Sequence, residues 1–548
     1  MATMWLLVLR IRLIAAVAGV LFAVLAIGLV LHFVFFSIEY PPSLPRICEP
    51  AGRRYFSWRT RWRYMTDCQR LFQEAYENFS KRGKTVLVPG LGFRNETILP
   101  QSAMKWMLAQ PDTSLSVPHA LVELNQAGYA LGDDKYIADA WTGHIVRTSM
   151  NQTLERICGD MYDELGYAFD TRFGTDEDNW REIDLFATMR LVIAQAAGRF
   201  TVGLPLCRNE QYLMDNINIG DNLIANGGIA GGTPASLRPF IGPLYPLVFI
   251  KPKIRSIEKH FKPTYLERLE TLKHDPKDPN YSEPQDFLQM MMRFAQKERP
   301  DELIDFATMS RRLIVANFGS AHNTSLQSTN LVLNVLDSDA EFNTIAVLRE
   351  EFSRALGKDD TAEGWTKAKV ATLTRADSVA RETLRLDAFG SRNLFRKVMV
   401  DGLVTEDGIP LPKGALLSML AYPAHREADF LGEEPGKFDP FRFSRAREAA
   451  AAASGDDVED GKLGLRNLSF VSTGPYNLPF GHGKHACPGR FLIDFELKMI
   501  MAYLLQNYDL EFPPEYEGKR PPCYHMAEAI FPPADAKVRV KRRPGTTR

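Results

Sequence analysis

The sequence predicts a mainly α-helical domain with small β-sheets, preceded by one N-terminal transmembrane helix. Three observations carry that reading. Residues 13–36 form an almost unbroken apolar run, interrupted only by small residues and His32, and a run of that length crosses a bilayer as a helix. From about residue 69 to 386 most segments place apolar residues at helical spacing between polar breaks. Short β-branched runs such as 397–400 read as strands.

The chain has 548 residues, 45% of them hydrophobic and 24% charged, which suits a large packed core. No repeat and no long low-complexity linker divides it, so one large domain plus an end segment is expected. The boundaries fall at an anchor, 1–37, a linker rich in proline and arginine, 38–60, and a main domain, 61–548. Lys+Arg 66 against Asp+Glu 67 leaves a formal charge of -1, which supplies no general attraction for nucleic acid. Cys48, Cys68, Cys158, Cys207, Cys487 and Cys523 form no CxxC pair. That argues against a disulfide framework and a four-cysteine zinc site, and for a reducing compartment.

A cleaved signal peptide is the alternative for the apolar run, but such peptides have apolar cores of ~7 to 15 residues followed by a small-x-small site, and neither feature is present. Arg10 and Arg12 precede the run, while Arg46, Arg53, Arg54, Arg59, Arg61 and Arg63 follow it. The positive-inside bias then places the main domain on the cytoplasmic side of a single-pass membrane protein. Pro41, Pro42 and Pro45 make the connector stiff and non-helical. Residues 226–240 carry Gly227, Gly228, Gly231, Gly232, Pro234 and Pro239 and read as a mobile surface loop, either a plain connector or a substrate gate. Residues 449–462, rich in Ala, Gly and Asp, read as a surface insertion.

The most informative segment is Phe480-Gly-His-Gly-Lys-His-Ala-Cys487-Pro-Gly-Arg490, followed by the apolar run 491–505. Pro488 suits the first turn of a helix, so Cys487 is expected where a buried helix begins. The helix dipole and free N–H groups there favour a thiolate, and the glycines leave room for a flat macrocycle. Gly481-x-Gly483-x-x-Ala486 imitates a dinucleotide fingerprint, but the two prolines in 473–479 make a poor preceding strand. His482, His485 and Cys487 fit no standard zinc spacing. An inert buried cysteine is the remaining alternative.

The segment resembles the haem-binding loop of the cytochrome P-450 superfamily, Phe-x-x-Gly-x-x-x-Cys-x-Gly, at Phe480, Gly483, Cys487 and Gly489. The resemblance implies that the chain has the cytochrome P-450 fold, that 61–548 is a haem-thiolate catalytic domain, that Cys487 is the metal ligand and that His485 meets a haem propionate. It also implies that Glu382 and Arg385, three residues apart on one helical face, form a buried network with Arg442 of Phe438-Asp-Pro440-Phe-Arg442-Phe443. Arg396 resembles the family's propionate-binding arginine, and Arg147 is the candidate for a second donor from an early helix. Gly203-Leu-Pro-Leu-Cys207-Arg208-Asn209-Glu210 is similar to fungal secondary-metabolism members.

A second apolar segment, 313–336, embeds Gly319-Ser-Ala-His322-Asn323-Thr324-Ser325, polar groups that a buried helix does not carry cheaply. The resemblance places it over the oxygen-binding face, with catalytic roles for His322, Asn323 and Thr324. His322 stands at the usual acid position and Asn323 at the usual threonine position. Thr324, the next alcohol, replaces that threonine only if the helix is distorted after Gly319; otherwise its hydroxyl bonds a carbonyl of the preceding turn.

By resemblance the cofactor is haem b, and the expected activity is monooxygenation of a lipophilic terpenoid or polyketide-like secondary metabolite. NADPH would act indirectly, through a flavoprotein partner, NADPH-cytochrome P-450 reductase. A reductase-independent haem-thiolate isomerase or dehydratase, and a non-catalytic haem carrier or sensor, are the alternatives.

Overall fold

A computed structural model of the chain describes residues 2–275, 278, 280–357, 365–452 and 468–546. The N-terminal helix Ala2–Leu31 runs into a π-helical turn, His32–Phe36. Within it Ala16–Phe36 has a mean hydropathy of 2.7 with only 12% of its most apolar window buried, as a membrane-crossing helix requires. Gly28 and His32, one turn apart, are its buried residues among those whose exposure is described. They face the segment after the helix Glu210–Gly232. The Ser236 hydroxyl donates to the Gly28 carbonyl at 2.6 Å, and the Ala235 N–H donates to His32 Nδ1 at 3.3 Å. A Cβ on Gly28 would run into the branched end of Leu237.

Residues 37–57 contain no helix, as the prolines dictate. They are nevertheless packed: Tyr40, Leu44, Ile47 and Phe56 are buried. The Leu87 N–H donates to the Pro45 carbonyl at 2.9 Å and the Ile47 N–H to the Leu87 carbonyl at 3.1 Å, so the connector edges the main sheet.

That sheet has five strands in the order Val86–Pro89, Asn95–Ile98, Leu416–Leu420, Arg392–Val398 and Leu115–Ser116. Its apolar face covers a core of its own, which includes Leu71, Phe72, Met107 and Leu417. A larger core surrounds four helices that pack together: Asn151–Phe173, Leu185–Thr201, Asn323–Phe342 and Arg490–Asn507. Asn323–Phe342 and Arg490–Asn507 are buried almost all round, which is why neither shows a clean amphipathic stripe.

Two local expectations are corrected. Residues 226–232 do not form a loop: they complete the helix Glu210–Gly232, and only 233–237 is irregular before the short helix Arg238–Ile241. Asn226 is buried, and its amide donates to the Gln126 carbonyl at 3.3 Å, so packing against the 126 region outweighs the helix penalty of four glycines. The strand expected at 397–400 is Arg392–Val398, stopped by the turn at Gly402, whose φ of 78° suits glycine. Residues 449–452 end the helix Arg442–Ala452 and are therefore helical; 453–462 lie outside the described residues.

Candidate functional site

The loop that carries Cys487 is held by its own backbone. The Cys487 N–H donates to the Phe480 carbonyl at 2.8 Å, closing a turn that passes through Gly481 and Gly483 at φ of 67° and 74°. Both lie in the left-handed region, and a Cβ at Gly483 would also press on Leu108 at 3.1 Å. Phe480 packs edge-on against Phe470. The helix begins at Arg490, so Pro488 and Gly489 precede its first turn. Gly489 places nothing larger than hydrogen beside the sulfur: a Cβ there would stand 3.9 Å from Cys487 Sγ and 4.0 Å from Val146.

The N–H groups of Gly489 and Arg490 and the charge of Arg490 act to lower the Cys487 pKa, but burial outweighs them and pushes the thiol up. The favourable N–H groups at the helix start therefore do not by themselves offset the burial of the sulfur. His482 turns to Thr473, Nδ1 to Oγ1 2.7 Å, and His485 to Asp112, Nε2 to Oδ1 2.8 Å. Neither joins the sulfur, and among the described residues no three His, Cys, Asp or Glu side chains gather into a metal site.

Behind the loop lies a charge network. Glu382 accepts from Arg385 at 2.7 Å through both oxygens and from Arg442 Nε at 3.1 Å. Glu382 and Arg385 are buried, and Arg442 is nearly so. Arg385 also donates to the His425 carbonyl at 2.8 Å, and His425 Nε2 accepts from the Leu478 N–H at 2.9 Å. His425 is thus the link between the network and the cysteine loop. Burial holds its pKa down to about 3, and the neutral ring serves as acceptor.

Arg396 is buried, with a bond to the Phe395 carbonyl at 2.9 Å and no carboxylate within ion-pair distance among the described residues. Burial lowers its pKa to about 10, opposed by the charge of Asp112. A buried guanidinium in that state is a site for an anion supplied from outside the chain. Arg147 lies on the π-helical turn Val146–Met150, whose Val146 meets the Gly489 side of the loop.

On the opposite side the helix Phe306–Asn317 passes through a π-turn, Phe318–His322, into Asn323–Phe342. The distortion therefore spans Gly319 and ends at His322, earlier than the sequence reading placed it, and it leaves the Thr324 hydroxyl on the preceding turn. Gly319 and Asn323, one turn apart, are exposed on a helix that is half-buried from 315 to 321 and buried from 324 onward.

The three polar neighbours diverge. Asn323 faces the open side. His322 turns the other way, stacked on Phe318 at 5.4 Å, with Nδ1 3.8 Å from Asp221 and Nε2 buried without a protein partner. It borders a cavity of about 20 Å³ lined with Arg190, Asn216 and Asn317. Burial lowers the His322 pKa to about 4. Thr324 is buried; its Oγ1 donates to the Ser320 carbonyl at 2.6 Å and lies 3.5 Å from Glu496 Oε2. Glu496 is a polar group the motif reading did not single out. Its signal was an acid inside the apolar run 491–505.

The family model described as Cytochrome P450 matches residues 149–540. The chain is 51% identical over 523 residues to cytochrome P450 monooxygenase pbrC of Penicillium brasilianum, covering 95% of this chain and 96% of the relative. It is 49% identical over 531 residues to cytochrome P450 monooxygenase astC of Aspergillus terreus, covering 96% and 97%. Identity to cytochrome P450 monooxygenase tenB of Beauveria bassiana is 43% over 506 residues, covering 92% of each chain.

Proposed function

The chain belongs to the cytochrome P450 family, as a haem b monooxygenase of the fungal secondary-metabolism type that oxidises a small molecule, and from that premise we propose how its own residues serve the reaction and what it oxidises. Cys487 is the iron ligand, in a loop whose glycines admit the macrocycle. Arg396 holds a propionate; its burial without a carboxylate is the observation that carries this assignment. His485 reaches a second propionate from the ring nitrogen not engaged by Asp112. Glu382, Arg385 and Arg442 act at a distance, through His425, to hold the loop in place.

When bound, haem with a thiolate ligand supplies oxygen activation. The chain's task on the oxygen side is to place hydrogen bonds and protons. Asn323 with ordered water, rather than Thr324, does the polar work, because the Thr324 hydroxyl is held on the Ser320 carbonyl of the preceding turn. Asn323 lends hydrogen bonds from the open side, for an amide does not relay protons as a hydroxyl does. His322, neutral and turned towards Asp221, orders water in the cavity behind the turn.

The substrate is a lipophilic terpenoid or polyketide-like metabolite. Electrons come from NADPH through a separate flavoprotein reductase, and the N-terminal helix holds the enzyme in the endoplasmic reticulum with its catalytic domain in the cytoplasm. Support comes from the apolar N-terminal span and from relatives in fungal secondary metabolism. Metabolite profiling after co-expression with a reductase reports substrate and reaction together. Substrate-dependent uptake of NADPH and oxygen is the expected result. Product formed without that uptake would move the enzyme to the isomerase or dehydratase class.

A further inference from the structure

Resting on the reading of the chain as a haem-thiolate enzyme, we propose that Arg392 is a positioning residue for the substrate: with Glu96 and Glu528 it pins one wall of the haem site and so sets the bulk of the molecule that fits there. Residues 388–391 run from the helix Thr374–Asp387 to the strand Arg392–Val398. Behind them the Asp387 carbonyl accepts from the Gln327 amide at 3.1 Å, one turn on from Asn323. Ahead of them Asn393 Nδ2 donates to the Leu478 carbonyl at 2.6 Å, and Leu394 stands close to Gly481. The segment thus bridges the helix that carries Asn323 and the loop that carries Cys487. With haem between those two, 388–391 is a side wall of its site.

A hairpin, Tyr524–Met526 with Ala529–Phe531, lies on that wall. The Ser391 N–H donates to the Glu528 carbonyl at 2.9 Å, and the Ile530 N–H to the Phe389 carbonyl at 2.8 Å. Two strands alone are barely stable, and of residues 524–531 only Ala527 and Ile530 are buried. Charge fixes the hairpin in place. Arg392 grips both Glu528 oxygens, Nη2 to Oε1 at 2.9 Å, while its Nη1 donates to Glu96 Oε2 at 2.7 Å and to Ser418 Oγ at 3.1 Å. The Arg392 and Glu96 side chains are each 1% exposed, and Arg94 Nε meets the other Glu96 oxygen at 3.1 Å. The strand Asn95–Ile98, the strand Arg392–Val398 and the hairpin turn therefore meet at one guanidinium, whose planar fork serves two carboxylates at once.

Backbone geometry marks the same place. Ala527 and Leu394 have φ of 49° and 58°, left-handed conformations that residues other than glycine keep only where their surroundings fix them. The strand also shifts register between Asn393 and Arg396. Arg392 touches neither iron nor substrate on this account; it acts by holding these turns, and release of the pin lets the wall give way.

The test compares two iron ligands on full-length holoenzyme: imidazole, and N-phenylimidazole, which carries a phenyl group on the nitrogen away from the iron. Both are titrated by the Soret shift of nitrogen ligation. Glu528→Gln frees the hairpin turn and leaves Arg392 paired with Glu96; Arg392→Lys keeps the charge but loses the fork. In each variant the thiolate spectrum and the imidazole affinity should be unchanged. N-phenylimidazole should bind about fivefold tighter or more, the low end of what relief of an overpacked contact yields. The double variant should gain no more than the larger single one, because both cut one pin. Asp170→Asn, which removes the partner of the remote, buried Arg542, should lower the melting temperature without moving the ratio of the two affinities.

An unchanged ratio in Glu528→Gln, gains that add in the double variant, or the same change of ratio in Asp170→Asn would each overturn the assignment. Should the pin variants fail to bind haem, hydrogen exchange of the wild type decides. N-phenylimidazole, unlike imidazole, should alter exchange at the Ser391 and Ile530 amides, and no difference there refutes the proposal. A wild-type protein that shows neither a thiolate spectrum nor an azole shift would instead refute the haem-thiolate reading on which the proposal rests.

Discussion

At the scale of single residues, burial sets the charge states. The His322 and His425 rings have pKa values lowered to about 4 and about 3, against an ordinary value of ~6.5. Between those limits the unfolded chain takes up protons that the folded one refuses, so stability should fall as pH drops below about 6.5 and stay level above it. Thermal unfolding of the holoprotein against pH checks this; His425→Gln, which keeps a side-chain acceptor, should flatten the slope. Glu496 runs the other way. Its raised value, about 8, means that the contribution present below the unfolded pKa, ~4.5, is lost as pH rises through the folded one. The gain in melting temperature from Glu496→Gln should therefore grow from acid to alkaline pH.

The turn around Cys487 was legible at this scale because its left-handed positions, Gly481 and Gly483, call for glycine at fixed spacing. The roles of His322, Asn323 and Thr324 were not, since one residue's advance along a helix turns a side chain by about 100°, and the π-turn that decides the phase carries no sequence signature of its own. The acid Glu496 stood in plain view within an apolar run, but its partner, Thr324, lies 172 positions away.

At the scale of elements, Glu382 ties the helix Thr374–Asp387 to the segment around Arg442. Glu382→Gln should leave the buried Arg385 guanidinium without its carboxylate and cost about 3 to 5 kcal/mol, read as loss of haem incorporation or earlier thermal unfolding, whereas Arg385→Met or Arg442→Met leaves Glu382 paired with the other arginine and should cost less. Normal incorporation and stability in Glu382→Gln would contradict the network's role. The junction of the N-terminal helix with 235–237 makes a separate demand. Alanine at Gly28 can be absorbed by rotation of Leu237, whereas Gly28→Leu cannot, and it should expose the 233–250 stretch to protease while membrane insertion persists. Leu237→Ala in that background should restore protection. The helical character of 226–232 escaped the sequence reading because its glycines oppose a helix that tertiary contacts at Asn226 enforce.

At the scale of the whole molecule, two cores and one apolar helix define the architecture. Two of the four core helices were legible as long apolar segments, 313–336 and 491–505. The packed connector at 37–57 was not, because the proline restrictions that exclude a helix say nothing about burial of Tyr40 and Leu44. Removal of residues 1–36 should release the protein from membranes and leave a haem-binding body. Centrifugal fractionation with haem absorbance checks both, and loss of haem on truncation would make the N-terminal helix part of the fold.

Ligation of the iron by Cys487 is read most directly in the carbon monoxide difference spectrum of the reduced full-length protein. Wild type should show the red-shifted Soret band of thiolate ligation. Cys487→Ala should abolish it, and Cys487→His, which offers a neutral nitrogen instead, should retain haem while moving the band to the position of imidazole ligation. A thiolate band that survives both substitutions would show that another residue holds the iron.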